Sequence, residues 1–509
     1  MRNTIVKWVS RLRLALLGGA LIVAGSSVAF NRLAEAKPDA KVSPVRLVVS
    51  ETPLPRDGKI STSFAPVVKK VAPGVVKVFT TTKVKHVSQP FPPSMEDPFF
   101  RRFFGEDYNG DGRERHYRIP KQYGLGSGVI VTKDGYILTN NHVVDDADEI
   151  KVALTPDGRE YTAKVIGKDP KTDIAVLKIE AQDLPFLTLA NSDALEVGDV
   201  VLALGNPYGI GQTVTMGMIS AMGRASPNLG LDYEDFIQTD AAINPGNSGG
   251  ALVDAEGRLI GVNTAILSRS GGNQGIGFAV PINLARNVME SLINDGRVVR
   301  GFLGVSIQDV TPNLAKEFDL AEANGALVGD VTPKSPADKA GLQSGDVILE
   351  FNGKPVHDSR HLKLQVGQTA PGTEVPVKIL RDGKRKTVEA TLKELPQTDL
   401  SANARSQEPD AIDALQGVTV ADLDGTARSQ LKLPRDLQGA LVTQVDDDSA
   451  AFEAGLRAGD VILEINRKPV QDADEAVKLS ENIKDRHILL RIWSRGASRY
   501  LVVDESKAG

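Results

Sequence analysis

The chain of 509 residues contains TNNHVV at positions 139–144, TDIAVL at 172–177 and NPGNSGG at 244–250. Serine is a weak nucleophile at neutral pH, so it needs a nearby base and a third group that fixes the tautomer of that base. The three stretches supply a histidine, an aspartate and a serine in that order. Triads on other folds occur in different chain orders, so this order favours a fold of two β-barrels.

The candidate catalytic residues are His142 as the base, Asp173 as the orienting carboxylate and Ser248 as the nucleophile. Only six histidines occur in the chain, and His142 alone follows a predicted strand of the β-rich region. Asp173 precedes an apolar run, where a carboxylate can be buried and stay ionised by hydrogen bonding to an imidazole. Asp169 is the weaker alternative for this carboxylate.

The glycine-rich loop around the serine predicts an oxyanion hole formed by Gly246, Asn247 and Ser248. Glycine permits the tight backbone conformation in which neighbouring N–H groups converge on one point. Such donors stabilise the negative charge of an acyl-transfer transition state, and each contributes about 10²–10³-fold in rate. A lone histidine or a lone glycine-rich loop is ordinary, but the combination in this order favours a catalytic site.

Length and composition limit the number of domains and exclude some classes of function. At about 150 residues per domain, 509 residues predict roughly three domains. Lys and Arg number 60 against 65 Asp and Glu, and this net charge of −5 argues against nucleic acid as a partner. The absence of cysteine excludes disulfides, cysteine-ligated zinc and a thiol nucleophile. We expect no metal and no cofactor.

The N-terminus predicts export. Four Lys or Arg residues among the first 13 precede an apolar run at 14–30, and Ala-Glu-Ala at 34–36 fits a cleavage site. Residues 1–36 therefore form a predicted signal peptide, and the rest of the chain is expected outside the cytoplasm. The apolar run is shorter than the roughly 20 residues of a spanning helix, so an uncleaved membrane anchor is the minority alternative.

The remainder of the first half divides into a linker at 37–63 and a β-rich domain at 64–298. Val-Ile-Val and Tyr-Ile-Leu flank Lys-Asp-Gly within 129–138, which predicts a hairpin, and Leu-Ile-Gly-Val at 259–262 predicts another strand. The pattern breaks into Pro, Phe, Arg and Gly at 86–122, which we interpret as a long insertion loop.

The second half contains an internal repeat. Residues 324–356 align with 438–470 without gaps, and 20 of the 33 positions are identical. One module therefore occurs twice, at 299–393 and 412–504. The polar stretch 394–411 predicts a flexible tether, so the two modules are expected to move independently.

Together these motifs resemble the Do-type HtrA serine proteases of the bacterial cell envelope, and the match covers nearly everything after residue 63. The stretches FIQTDAAIN at 236–244 and GIGFAVP at 275–281 resemble the activation-domain strand and the specificity-pocket wall of that family. The resemblance implies a mainly β fold, with a chymotrypsin-like double β-barrel protease domain followed by two PDZ domains. It also implies a homo-oligomer, either a trimer or a multiple of trimers.

The resemblance places Ile276, Gly277 and Ala279 around the pocket for the residue before the cleaved bond. Small aliphatic side chains are favoured there, and no acidic residue is available for a basic substrate. A pocket of this kind discriminates by only about 1–3 kcal/mol per methylene, so cleavage should be broad and suit unfolded polypeptides.

Asn247 stands where digestive relatives carry the Asp that pairs with a newly cleaved N-terminus. Asparagine cannot form that ion pair, so control by a reversible change in the surrounding loops is expected instead. Arg224, in the loop 223–235, is a candidate sensor, and a solvated surface charge is an equally good interpretation.

PDZ domains bind a C-terminal carboxylate on backbone N–H groups while the peptide adds to a sheet edge. In the first module Leu303, Gly304 and Val305 resemble the carboxylate loop, so hydrophobic C-terminal peptides are expected there. Gln416 replaces the leucine in the second module, which makes capture weaker or leaves that module for assembly. Packing without a ligand is the alternative for both modules.

Two functions remain open at this stage. The first is an ATP-independent serine endoprotease that degrades misfolded or damaged cell-envelope proteins, with PDZ-mediated substrate capture and activation; no nucleotide-binding G-x-x-x-x-G-K-[ST] loop occurs in the chain. The second is a periplasmic chaperone or PDZ peptide-binding scaffold whose protease domain rests. Reaction with a fluorophosphonate and digestion of unfolded casein distinguish the two.

Overall fold

The computed structural model describes residues 45–56, 63–82, 122–155, 158–206, 211–225, 231–266, 273–396, 412–431, 433–434, 437–481 and 487–505. The predicted signal peptide at 1–36 and the insertion loop at 86–122, apart from its last residue, lie outside these ranges and stay predictions. Within the described ranges no helix is long and apolar enough to cross a membrane.

A seven-stranded antiparallel sheet forms the first half of the protease region, in the order β5-β4-β1-β2-β3-β7-β6. Its strands are β1 Val75–Thr82, β2 Gln122–Ile130, β3 Tyr136–Asn140, β4 Glu149–Ala153, β5 Glu160–Thr162, β6 Lys164–Asp169 and β7 Ile174–Lys178. The predicted hairpin is confirmed, because Val129 pairs with Leu138 across a turn in which Gly135 has φ +98°. Buried Val, Ile and Leu side chains fill the interior of this half.

A closed six-stranded barrel forms the second half, in the order β10-β13-β12-β11-β8-β9. Its strands are β8 Val200–Gly205, β9 Thr213–Arg224, β10 Phe236–Thr239, β11 Ala251–Asp254, β12 Leu259–Ile266 and β13 Gly277–Pro281. Among the described residues, three α-helices accompany the two halves, namely α1 Ala65–Val71, α2 Asn141–Val144 and α3 Ile282–Asp295. This architecture confirms the predicted mainly β, double-barrel protease fold.

Residues 47–56, within the predicted linker 37–63, pack on the protease region. The backbone of this segment forms hydrogen bonds of 2.8 and 2.9 Å with Leu189, on both sides of a parallel bridge. Arg56 binds both carboxylate oxygens of Asp199, at 3.1 and 3.0 Å. Composition alone missed these contacts because they join residues more than 130 positions apart.

The two repeat modules share most of their strand plan and differ at one end of the sheet, where β22 of the second module pairs with β23 and β14 of the first pairs with β21. The first contains β14 Gly301–Phe302, β15 Val305–Asp309, β16 Ala326–Val331, β17 Val347–Phe351, β18 Lys354–Pro355, β19 Glu374–Arg381, β20 Lys384–Thr391, β21 Lys393–Glu394, α4 Pro312–Glu317, α5 Pro336–Ala340 and α6 Ser359–Gln368. The second contains β22 Ile412–Leu415, β23 Val418–Asp422, β24 Ala440–Val445, β25 Val461–Ile465, β26 Lys468–Pro469, β27 His487–Ser494, β28 Ala497–Asp504, α7 Gly425–Gln430, α8 Ala450–Glu453 and α9 Ala473–Glu481. The predicted repeat is confirmed, because β16, β17 and β18 recur as β24, β25 and β26.

The tether prediction for 394–411 needs correction at its start. Glu394 belongs to β21, which pairs with β14, and the Leu395 amide donates to the Arg300 carbonyl at 2.9 Å. Residues 397–411 lie outside the described part of the chain.

The two modules contact each other in this structure, which the tether prediction did not anticipate, and their independent movement stays a prediction. The Tyr500 ring of β28 packs edge-on against Phe318 with centroids 5.4 Å apart, within a buried cluster shared by both modules. The Gln308 side chain accepts from the Tyr500 amide at 2.7 Å and donates to its carbonyl at 3.0 Å. Burial raises the pKa of Tyr500 to about 12, so the phenol is neutral at the interface.

Candidate active site

The strand pairing of the first sheet brings His142 and Asp173 together. Asn140 at the end of β3 pairs with Ile174 at the start of β7, so the residues just beyond each strand end are neighbours. His142 Nδ1 lies 2.8 Å from Asp173 Oδ2, and the His142 backbone amide donates to Asp173 Oδ1 at 3.0 Å. A carboxylate in this position fixes the proton on Nδ1 and leaves Nε2 as the basic nitrogen.

Asp173 is held in an unusual backbone conformation. Its φ is +57°, a left-handed value that costs energy for a residue with a Cβ. Its carbonyl accepts from the Asn141 amide at 3.1 Å and from Asn140 Nδ2 at 3.0 Å. Asn140 Nδ2 also donates to Thr264 Oγ1 on β12 at 2.8 Å, so this buried amide ties the aspartate to the second barrel.

Ser248 lies buried in the glycine-rich loop before β11. Its backbone carbonyl accepts from the Ser127 amide of β2 at 2.8 Å, which joins the loop to the first sheet. Its Oγ donates to the Thr264 carbonyl at 3.2 Å. A hydroxyl has a single proton, so Ser248 must rotate away from Thr264 before it can donate to His142.

The loop around the serine has the conformation that its glycines permit. Gly246 has φ +97°, and its carbonyl accepts from Ser127 Oγ at 2.7 Å. Gly249 has φ +81°, and a Cβ there would overlap the Ser127 carbonyl oxygen. Within the described residues, the amides of Gly246 and Ser248 donate to no protein acceptor, as an oxyanion hole requires. The assignment of Gly246, Asn247 and Ser248 to that hole stays a prediction.

Asn247 is almost completely buried, with 1% of its surface exposed, and it packs directly against Gly205 of β8. Its amide donates to the Asn244 carbonyl at 2.9 Å, which closes the turn before the serine. A charged Asp at this position would need a partner in the interior. That this loop is not controlled by an ion pair with a newly cleaved N-terminus therefore remains a prediction.

Asp169, the alternative carboxylate, is occupied elsewhere. Its Oδ2 accepts from Thr172 Oγ1 at 2.5 Å and forms a buried ion pair with Arg300 at 2.5 Å. The guanidinium of Arg300 also stacks over the Tyr233 ring at 4.5 Å. Sequence reasoning missed Arg300 because its partner lies 131 positions away.

The predicted pocket residues lie on or beside β13. Ile276 is half-buried just before the strand, and Gly277 pairs with Thr239. Ala279 is fully buried and pairs with Ile237 of the neighbouring β10. Residues 267–272 lie outside the described ranges, so the role of these three residues in specificity stays a prediction.

The predicted carboxylate loop of the first module has the geometry of a tight turn. Gly304 has φ +86°, and its carbonyl accepts from the Thr332 amide at 2.9 Å. Leu303 is buried in the module's core, and Val305 begins β15.

Arg224, the candidate sensor, is the exposed last residue of β9 and pairs with Phe236. The binding and sensing roles remain predictions.

Comparison with known proteins defines the class. Residues 126–262 match the model of a trypsin-like peptidase domain, and residues 301–392 and 441–494 each match a PDZ domain model. The chain is therefore a serine endopeptidase of the trypsin-like fold that carries two PDZ domains.

The chain also resembles named proteins over most of its length. It is 43% identical over 458 residues to a probable periplasmic serine endoprotease, DegP-like, of Chlamydia trachomatis, covering 87% of this chain and 89% of that one. A protein of the same name from Pseudomonas fulva is 42% identical, with 86% and 92% covered. The solved structure of the HtrA-type protease AlgW with decapeptide has a TM-score of 0.51 at 50% identity, covering 66% of this chain and all of that one. The chain belongs to the DegP-like family of HtrA-type serine endoproteases.

Proposed function

We propose that this endopeptidase is an ATP-independent protease of misfolded or damaged periplasmic proteins. The observation that carries the catalytic assignment is the 2.8 Å contact between His142 Nδ1 and Asp173 Oδ2, and Ser248 lies buried in the glycine-rich loop. The periplasmic location is supported by the names of the relatives and by the predicted signal peptide at 1–36. Labelling by a fluorophosphonate and digestion of unfolded casein without added nucleotide test the proposal.

In the proposed mechanism the Ser248 hydroxyl leaves the Thr264 carbonyl and turns towards His142. Its Oγ attacks the scissile carbonyl while His142 Nε2 takes the proton. The amides of Gly246 and Ser248 stabilise the resulting oxyanion, and the Asp173 carboxylate stabilises the imidazolium. His142 then protonates the leaving amine, and water hydrolyses the acyl-enzyme by the same route in reverse.

We propose that the enzyme cleaves after small aliphatic residues. Gly277 has no side chain and Ala279 has only a methyl group, so β13 is narrow at these positions. Ile276 adds an apolar surface beside them. The three residues Ile276, Gly277 and Ala279 offer no charge to a basic substrate, so selection by them rests on the fit of methyl and methylene groups. Because such fit discriminates weakly, we expect several cleavage sites in any unfolded chain.

The first PDZ domain is the proposed capture site for hydrophobic C-terminal peptides. Gly304 gives the carboxylate close access to backbone N–H groups, and among the described strands β15 stands at the end of its sheet with one edge unpaired. A peptide can therefore add to β15 as an extra strand beside helix α6.

A chain of contacts links that helix to the catalytic carboxylate. Lys363 of α6 lies 3.4 Å from Asp232 and over the Tyr233 ring at 5.1 Å. Tyr233 stacks with Arg300, which pairs with Asp169 at the start of the turn that ends in Asp173. Peptide binding beside α6 can reach the active site through these contacts, which gives the proposed activation a physical route.

We expect a peptide with a free hydrophobic C-terminus to raise kcat/KM for a second, unfolded substrate at least about fivefold. Binding can do this only if the peptide prefers the arrangement in which Ser248 faces His142. Casein cleavage with and without peptide is compared in the full chain, in a chain ending at Leu395 and in one ending at Arg300. Stimulation should survive the first truncation and vanish in the second. Equal stimulation in the shortest chain contradicts this proposal.

A second function is favoured by one observation. The Ser248 hydroxyl donates to the Thr264 carbonyl at 3.2 Å, as expected of a protease domain at rest. A resting enzyme that still captures polypeptides would act as a chaperone or PDZ scaffold. A fluorophosphonate that fails to label the protein under all peptide conditions would support this alternative.

We also propose that the protein assembles as a trimer or a multiple of trimers. An exposed apolar patch on the second barrel includes Met216 and Met218 of β9, with 61% and 47% of their surface exposed, and Val197 shortly before β8 is 64% exposed. The two methionines are two positions apart on β9 and therefore share a face. Contiguous exposed apolar groups commonly mark protein contacts.

The double variant Met216→Glu/Met218→Glu should reduce the molecular mass measured by light scattering to that of a single chain. Charged groups at these positions would have to be buried without partners in any apolar interface. Val165→Glu is the matched control, because Val165 is 42% exposed on β6 of the other sheet. An unchanged mass in the double variant refutes a role for this patch in assembly.

A further inference from the structure

The two PDZ domains differ at one sheet edge. Gly304 and Gly417 are equivalent, because both have positive φ, +86° and +73°, and the carbonyl of each accepts from a corresponding amide, Thr332 at 2.9 Å or Asp446 at 2.8 Å. The strand after each glycine pairs on one side with an equivalent neighbour, β15 with β16 and β23 with β24. Among the described strands the other edge of β15 is unpaired, whereas that of β23 is covered by β22.

β22 covers that edge as a bound peptide would. It runs antiparallel to β23, with Ile412 opposite Val420, Asp413 opposite Thr419 and Leu415 opposite Val418. Its C-terminal end therefore meets the glycine loop, as the C-terminus of a PDZ ligand does.

The same strand packs under the groove helix. β22 contacts α9, the counterpart of α6, and pairs with β23 along its other side. Leu415 is buried in the core of the module together with Ala473 and Ala476 of α9. The cleft between the helix and the edge strand is consequently filled from within the chain.

We propose that residues 412–415 of this chain occupy the peptide groove of the second PDZ domain, which takes no C-terminal peptide while that strand is paired. Two residues, Gln416 and Gly417, join the strand to β23. So short a connection gives the internal strand a far higher effective concentration than a free peptide has. An external peptide competes only for the small fraction of molecules in which the strand is released. The inference rests on the proposed peptide capture only in using the same groove geometry.

Hydrogen exchange followed by mass spectrometry tests the proposal on the full wild-type chain. The probe is a ten-residue peptide that ends in three valines with a free carboxylate, and its C-terminally amidated form is the control. We expect β23 amides to exchange slowly without peptide and to show no change at saturating peptide. The β15 amides should exchange faster without peptide and slow at least about tenfold on binding. Peptide-dependent slowing of β23 overturns the proposal.

The outcomes also separate this inference from capture by the first domain. If β23 is protected from the start and neither strand responds to peptide, the internal strand is supported and peptide capture at Gly304 is refuted. If β23 exchanges as fast as β15 without peptide, its edge is open and the proposed occupancy is wrong.

A covalent lock provides a second measurement. The chain has no cysteine, so Asp413→Cys/Thr419→Cys introduces a single possible disulfide between opposed positions of β22 and β23. Titration calorimetry should give one peptide per chain for the wild type and for the oxidised and reduced variant. Two peptides per chain in the reduced form and one in the oxidised form would show that the strand leaves readily, and would overturn the proposal.

Discussion

Ser248→Ala is expected to lower kcat for casein hydrolysis by about 10⁴–10⁶-fold and to abolish labelling by a fluorophosphonate. The substitution removes the oxygen that attacks the substrate and leaves the amides of the oxyanion loop in place. It also removes the hydrogen bond to the Thr264 carbonyl, a loss of about 1 kcal/mol that the fold tolerates. Residual turnover should therefore come from a folded protein.

Ser192→Ala is the matched control for this prediction. Ser192 is also a buried serine, with 1% exposed, and its Oγ accepts from the Asn283 amide at 3.1 Å, away from His142. This variant should lose about 1 kcal/mol of folding free energy and keep its hydrolytic activity. Near wild-type activity in purified Ser248→Ala would sink the assignment of the nucleophile.

The candidate triad was accessible from the sequence because each member sits in a distinctive local pattern. His142 follows a strand, Asp173 precedes one, and Ser248 is surrounded by glycines. The residues that support them carry no such signal. Asn140 and Thr264 bond across 124 positions, and that contact depends on how the two barrels pack. Sequence reasoning from local patterns finds the candidate reacting groups and misses the framework that aligns them.

The contact between the modules was not anticipated from the sequence for a related physical reason. A polar tether predicts freedom when it is considered alone, but the tether does not decide whether two folded surfaces bind each other. Gln308 and Tyr500 are hydrogen-bonded although 192 positions separate them in the sequence. Tyr500 contributes to an apolar surface only after β28 has formed. β22 has only four residues and was likewise not predicted as a strand. It forms by pairing with β23, which a local pattern does not show.

Asp173→Asn should lower kcat by about 10⁴-fold with little loss of stability. The amide can occupy the space of the carboxylate, but it cannot stabilise the imidazolium and it favours the wrong tautomer of His142. The decisive comparison is Asp169→Asn, which makes the same replacement of a carboxylate by an amide at the neighbouring aspartate. This control should keep kcat within about tenfold of wild type, because Asp169 touches Thr172 and Arg300 instead of the histidine.

The two variants should rank in the opposite order for stability: Asp169→Asn should lose more stability than Asp173→Asn, although it loses less kcat. Asp169→Asn leaves the Arg300 guanidinium buried without its anion, and losing one partner of such a pair costs about 3–5 kcal/mol. Thermal unfolding should therefore show a clear fall in Tm for Asp169→Asn and a small one for Asp173→Asn. Adding Arg300→Met to Asp169→Asn removes the stranded charge and should restore part of the loss. A severe loss of kcat in Asp169→Asn with near-normal kcat in Asp173→Asn would exchange the roles of the two carboxylates, and the 2.8 Å contact with His142 would then have no catalytic meaning.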